Sequence, residues 1–143
     1  MKKLKIRLER DEYQQFVKPV HVDLPKKMTG KEALSASIQK WEFILENLKP
    51  DTVTEVIGDG GSDSCGLCDK FQYAAERACE TCPVKLASGK TYCGGTPFVK
   101  YWRVTEKMLN LLHAKKPVSK ALIKSQRAAA TEELEFLKSL KVK

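Results

Sequence analysis

Five cysteines between residues 65 and 93 have the clearest chemical potential in this chain. Two C-x-x-C pairs, Cys65 with Cys68 and Cys79 with Cys82, are separated by ten residues, and Cys93 follows after ten more. A C-x-x-C turn brings two thiolates to neighbouring corners of a tetrahedron, so two such turns complete a Zn²⁺ site. The segment is rich in turn-forming residues and poor in core-forming ones, and a structural zinc would supply the missing stability. We therefore predict one zinc bound by Cys65, Cys68, Cys79 and Cys82.

A fifth cysteine leaves a second ligand set open. In this alternative Cys65, Cys68, Cys82 and Cys93 bind the metal, and Cys79 is buried as a small hydrophobic residue. An iron–sulfur cluster also uses four thiolates, although the spacing matches none of the common ferredoxin patterns. A thioredoxin-like redox pair is not favoured, because no predicted strand leads into either C-x-x-C pair. Disulfides are not favoured either, because they require an oxidising compartment that the N-terminus does not signal.

Basic residues are concentrated at the two ends of the chain, which has 143 residues and a formal net charge of +8. Residues 1–28 carry about +4, residues 51–64 about −4 and residues 97–143 about +7. Such a distribution favours contact with polyanions, and lysine and arginine bind nucleic acid by displacing counterions from its phosphates. The candidate contact residues for nucleic acid or a partner are Lys100, Arg103, Lys107, Lys115 and Lys116.

Two aromatic residues, Tyr101 and Trp102, lie among these basic side chains and could stack on bases. Their helical spacing with Phe98 and Leu109 instead favours packing in the core. We therefore expect both aromatic residues to belong to a broad apolar helix face, with Lys100, Arg103 and Lys107 pointing elsewhere.

Neither of the two histidines has a catalytic partner in the sequence. We expect His21 to face solvent from a strand and His113 to complement the negative end of a helix. The chain contains no nucleophile elbow, phosphate loop or zinc-protease helix. The prediction is therefore a binding protein and not an enzyme.

The N-terminal part, residues 1–28, predicts a small β element. Apolar and polar residues alternate over residues 3–9 and again over residues 20–24, which is typical of half-buried strands that can pair antiparallel. Val53, Val56 and Ile57 predict a third short strand.

Three helices are predicted after these strands. Thr29 and Glu32 form a capping-box pattern that begins the first helix, within residues 29–50. Its apolar stripe comprises Leu34, Ile38, Trp41, Leu45 and Leu48, with Lys40 outside it. Pro97 and Pro117 begin two further helices, and a drift in the apolar pattern predicts a bend between Ser125 and Thr131.

These elements predict a mainly α protein with a small N-terminal β element, its helices packed around the cysteine-rich zinc module. The size suits a single domain over residues 1–143, with the β element at 1–28, a helix at 29–50, the metal module at 65–96 and C-terminal helices at 97–143. The N-terminus lacks the apolar run of a signal peptide, and no stretch has the length of a membrane span. We expect no membrane association and a cytoplasmic location.

The cysteine motif resembles small uncharacterised proteins of bacteriophages and prophages. The resemblance covers residues 29–105 and rests on Cys65-Gly66-Leu67-Cys68, Cys79-Glu80-Thr81-Cys82-Pro83-Val84, Cys93-Gly94-Gly95-Thr96-Pro97-Phe98 and the helix Ser37-Ile38-Gln39-Lys40-Trp41-Glu42. It implies a phage origin and the cysteine site, and it adds weight to proteins that bind a host machine. Together with the basic charge, it favours an accessory protein that binds nucleic acid or a nucleic-acid-handling host complex in the host cytoplasm. An alternative is an inhibitor that binds a host protein or defence complex, in which the acidic loop from Asp59 to Asp63 mimics phosphates.

Overall fold

The computed structural model describes residues 3–10, 15–49, 53–59 and 96–140. Its strands are β1 (Ile6–Leu8), β2 (Val17–Val22) and β3 (Val56–Gly58), which form one sheet in the order β1-β2-β3. β1 pairs antiparallel with the second half of β2, with Ile6 opposite Val22. β3 pairs parallel with the first half of β2, with Val17 opposite Val56. The two antiparallel strands predicted from alternation are confirmed, although β2 ends before Leu24. The third strand predicted from Val53, Val56 and Ile57 is also present, although it begins after Val53.

Helix α1 (Gly30–Asn47) connects β2 to β3 and begins as the sequence predicts. The hydroxyl of Thr29 accepts a hydrogen bond from the backbone N–H of Glu32 at 3.1 Å, and the Glu32 carboxylate accepts one from the Thr29 N–H at 3.1 Å. Both bonds satisfy donors that a helix N-terminus otherwise leaves free.

The buried face of α1 is rotated from the predicted stripe. Trp41 and Leu48 are buried as expected, but Leu34, Ile38 and Leu45 are only partly buried. The buried positions of α1 are Ala33, Ala36, Ser37, Lys40, Trp41 and Ile44, and three of these six are small residues. Small side chains let the helix approach its neighbours closely. The buried face therefore does not coincide with a stripe drawn through the largest apolar residues.

Lys40 is the clearest error in the predicted stripe. It was expected outside the apolar face, but only 3% of its surface is exposed. Its ammonium group lies 5.6 Å from the centre of the Trp41 ring, within the range of a cation–π contact. The long aliphatic stem of lysine packs like a hydrophobic side chain, which a polar assignment overlooks.

Helices α2 (Pro97–His113) and α3 (Lys120–Ser139) form an antiparallel hairpin. Its direction follows from its contacts, because Lys100 pairs with Glu132 near one end and Thr105 bonds Gln126 further along. Pro97 occupies the first turn of α2 as predicted, whereas α3 begins after Ser119, whose hydroxyl accepts from the Leu122 N–H.

Helix α3 continues without interruption through Ser125 to Thr131, where the sequence predicts a bend. The apolar pattern drifts there because the buried positions are occupied by Gln126, Ala129 and Ala130. The main core joins β2, α1, α2 and α3, represented by Val20, Ile44, Tyr101 and Leu137. The mainly α fold with a small β element is thus confirmed. Among the described helices, none is both long enough and apolar enough to cross a membrane.

Candidate nucleic-acid interface

The predicted metal ligands Cys65, Cys68, Cys79, Cys82 and Cys93 lie outside the described residues. In the part of the chain that the structure describes, no group of three or more His, Cys, Asp or Glu side chains is arranged to hold a metal ion. The zinc site therefore stays a prediction from spacing.

Three of the predicted contact residues lie on one face of α2. Lys100, Arg103 and Lys107 follow at spacings of three and four, which brings their side chains to the same side of a helix. All three are exposed. Together with Val104 they form one wall of an open groove, which we call the α2–α3 groove. Its opposite wall consists of Ser125, Ala128, Ala129 and Glu132 on α3.

The charge of this groove is predominantly positive. Lys100 contacts Glu132 at 3.2 Å, with 69% and 47% of the two side chains exposed. An ion pair so exposed contributes little free energy, so an anionic ligand can displace the carboxylate. Within the described residues, Arg103 and Lys107 are both exposed and have no ion-pair partner.

Lys115 and Lys116 lie at the C-terminal end of α2 in a Schellman motif. The N–H of Lys116 donates to the carbonyl of Leu111 at 2.9 Å, and that of Lys115 donates to Leu112 at 3.1 Å. Lys115 has a φ of 57°, the left-handed conformation that such an ending requires. The motif fixes both lysines immediately after the helix, and both are exposed. His113 precedes them in the last turn of α2, where it was expected, with its ring edge-on to Phe16.

The two neighbouring aromatic residues of α2 have different environments. Tyr101 is 1% exposed, its hydroxyl donates to the Ile57 carbonyl at 2.7 Å, and its ring lies edge-on to Trp41 at 4.9 Å. Burial raises the pKa of Tyr101 well above its ordinary value. Trp102 is 53% exposed, so its assignment to the apolar face was wrong. Successive residues of a helix point about 100° apart, and the core accommodates only one of the pair.

A second charged cluster, missed in the sequence, lies on the outer surface of the β element. Arg7 on β1 pairs with Glu9 at 2.7 Å and with Asp23 at 3.2 Å. The hydrogen bond from Arg7 lowers the pKa of Asp23. His21, directly opposite Arg7, is partly exposed as predicted and lies 3.3 Å from Asp23. The strand register places Arg7 opposite His21, and the carboxylates of Glu9 and Asp23 flank both side chains.

No protein-family model, no curated protein and no solved structure matches this chain. Its function therefore has to be argued from its own residues. Within the described residues, the α2–α3 groove is lined by three exposed cations, and two further exposed lysines, Lys115 and Lys116, follow α2.

Proposed function

We propose that this protein is a non-enzymatic accessory protein of the phage type, and that the α2–α3 groove attaches it to nucleic acid or to a nucleic-acid-handling host complex. One observation supports this most directly: Arg103 and Lys107 line an open groove as exposed cations. Lys115 and Lys116 extend the positive charge beyond the end of the same helix. Binding releases counterions from the phosphate backbone, so affinity decreases steeply as salt concentration rises.

The proposal includes a structural zinc in the cysteine segment. Its support is the spacing of the two C-x-x-C pairs, which suits a tetrahedral site. A closed site with four thiolates stabilises a fold and leaves no position for catalysis. The zinc therefore shapes the binding protein and has no role in a reaction.

A double variant, Arg103→Gln with Lys107→Gln, tests the groove. We expect its affinity for DNA or RNA to fall at least tenfold, and the slope of log K against log salt to become shallower by about 1.5, because each lost phosphate contact removes about 0.7–0.9. The matched control is Lys31→Gln with Lys138→Gln, which removes the same charge from exposed positions on α1 and α3. Absence of binding by the wild type at low salt, or equal losses in both double variants, would contradict the proposal.

Direct binding to a host protein is the second candidate function. Exposed tryptophan and arginine side chains are enriched in the centres of protein interfaces, and Trp102 and Arg103 are neighbours. A pull-down from bacterial lysate, repeated after nuclease treatment, distinguishes the two. A partner retained after nuclease, and lost with Trp102→Ala, favours the protein interface.

A further inference from the structure

The outer edge of β1 presents main-chain groups that make no hydrogen bond within the described residues. In the sheet order β1-β2-β3, this strand pairs only with β2. The carbonyl of Lys5 accepts from the N–H of Asp23 at 3.0 Å, so the main-chain groups of Lys5 point towards β2. Because these groups alternate in direction along an antiparallel strand, those of Ile6 and Leu8 point away from β2. This edge can therefore pair with one further strand.

Helix α1 runs beside this edge in the same direction as β1. Near one end, the N–H of Leu4 donates to the side-chain oxygen of Gln39 at 2.8 Å. Near the other end, Leu8 and Leu48 line the same small cavity. The strand from Leu4 to Leu8 and the helix from Gln39 to Leu48 both span about 13 Å. Strand and helix are thus matched along their lengths.

The space between them is a groove, which we call the β1–α1 groove. Its apolar surface includes Ile6 on β1 and Phe43 on α1, both partly buried. Glu42 and Glu46 also line it; both are exposed, and neither has an ion-pair partner within the described residues. Lys3 is the one cation among the lining residues, and the two carboxylates outweigh its charge. In a chain of net charge +8, this groove is both apolar and negative.

These features define the chemistry of the occupant. An extended main chain can pair with the edge of β1 and lie along the groove at the same time. Alternate residues of such a strand are about 6.6 Å apart, and Glu42 and Glu46 are about 6 Å apart along the helix axis. Lysine and arginine can pack their apolar stems on a surface like that of Phe43 while their charged ends remain in solvent. We infer that the β1–α1 groove binds an extended segment of a partner protein that carries Lys or Arg at alternate positions.

A second copy of this chain suits the groove less well than a basic segment. In an antiparallel pair of β1 strands, the apolar side chains of the second copy would face the groove and bring no positive charge to Glu42 and Glu46. Its Lys5 and Arg7 would lie on the opposite face, beside the same residues of the first copy. Like charges on neighbouring strands repel, so this pairing is disfavoured.

Fluorescence anisotropy with labelled peptides measures this binding. The probe is Thr-Val-Thr-Arg-Thr-Arg-Thr-Val-Thr, whose arginines face one side of an extended chain. Its isomer Thr-Val-Thr-Arg-Arg-Thr-Thr-Val-Thr directs them to opposite sides, and we expect it to bind more weakly. Methylation of alternate amide nitrogens should abolish binding for the set that faces β1 and preserve it for the other set. Equal effects of the two methylated sets would exclude strand pairing.

The double variant Glu42→Gln with Glu46→Gln tests the acidic side of the groove. We expect its affinity for the probe to fall about fivefold, because two exposed ion pairs are lost. The matched control, Glu106→Gln with Glu135→Gln, removes the same charge from exposed positions on α2 and α3 and should bind the probe like the wild type. Equal losses in the two double variants would overturn the inference.

The remaining outcomes separate this site from the α2–α3 groove. Both glutamate double variants should bind nucleic acid equally, since they carry the same charge and leave Arg103 and Lys107 intact. The loss of one binding activity therefore leaves the other proposal standing. A wild-type protein that does not bind the probe at low salt overturns the inference. If that protein also sediments as a dimer, a second copy is the better occupant of this edge.

Discussion

The hydroxyl of Tyr101 connects α2 to the sheet, because it donates to the carbonyl of Ile57 on β3. The ring is simultaneously enclosed by Trp41, to which it is edge-on. A buried carbonyl that loses its donor retains the full cost of its lost hydration. We therefore expect the hydroxyl group of Tyr101 to contribute more to stability through this hydrogen bond than through its packing.

We expect Tyr101→Phe to lower the free energy of unfolding by about 1–3 kcal/mol, because the Ile57 carbonyl is left without this donor. Urea denaturation followed by circular dichroism measures the change. Trp102→Phe is the matched control, since its position is half-exposed, and it should change the same quantity by less than about 0.5 kcal/mol. A Tyr101→Phe variant as stable as this control would contradict the structure.

Tyr101 also predicts how stability depends on alkaline pH. Its folded pKa is raised, chiefly by burial, so the folded protein retains a proton that the unfolded chain loses. This contribution is fully present below about pH 10, the ordinary tyrosine pKa, and is lost as pH rises further. The free energy of unfolding measured between pH 9 and 11 should therefore fall less steeply in Tyr101→Phe than in the wild type. Parallel pH profiles would exclude this role.

The pair Tyr101 and Trp102 illustrates what residue types alone could not decide. The two residues are adjacent and both are aromatic, so the apolar stripe of the helix can be drawn through either one. Only the packing of α2 against Trp41 and β3 selects Tyr101 for the interior. The exposure of Lys100, Arg103 and Lys107 was predictable, because an exposed lysine or arginine on a helix needs no specific neighbour.

At the scale of the elements, α1 was the most predictable because its start is encoded locally. The reciprocal bonds of Thr29 and Glu32 involve only residues within one turn. The parallel pairing of β2 with β3 was not predictable, because it depends on how α1 crosses between them. The burial of Lys40 was missed for the same reason, since it depends on neighbours distant in sequence.

The capping box gives a prediction for α1. Thr29→Ala should lower the free energy of unfolding by about 1 kcal/mol, because the Glu32 N–H loses its acceptor. Glu32→Gln is the matched control, since glutamine can still accept from the Thr29 N–H. Chemical denaturation of both variants is the measurement. A larger loss in Glu32→Gln than in Thr29→Ala would mean that charge, and not capping, stabilises this helix end.

At the scale of the whole molecule, the asymmetry of charge in the sequence anticipated where exposed cations gather, along α2 and its C-terminal turn. It could not anticipate the groove, which requires α3 to lie beside α2. In the sequence the cysteine segment lies between β3 and α2. The zinc proposal therefore concerns a part of the chain outside the described residues.

Metal content tests that proposal. We expect one zinc per chain by mass spectrometry, with all five thiols recovered after denaturation in a chelator. Cys79→Ser should lose the zinc and Cys93→Ser should keep it if the first ligand set is right; the reverse supports the alternative with Cys82 and Cys93. Visible absorption would indicate an iron–sulfur cluster, and fewer than five thiols without metal would indicate disulfides.

The Schellman turn after α2 sets the charge of Lys115 against the stability of the helix end. Lys115 occupies a left-handed position that glycine adopts at lower cost. Lys115→Gly should therefore raise the free energy of unfolding by roughly 1 kcal/mol while weakening nucleic-acid binding. Lys116→Gly, the matched control, should weaken binding with no gain in stability. If thermal unfolding shows the gain in stability and binding titrations show the loss of affinity, the charge of Lys115 favours binding at a cost in stability. Such a trade-off is typical of functional surfaces.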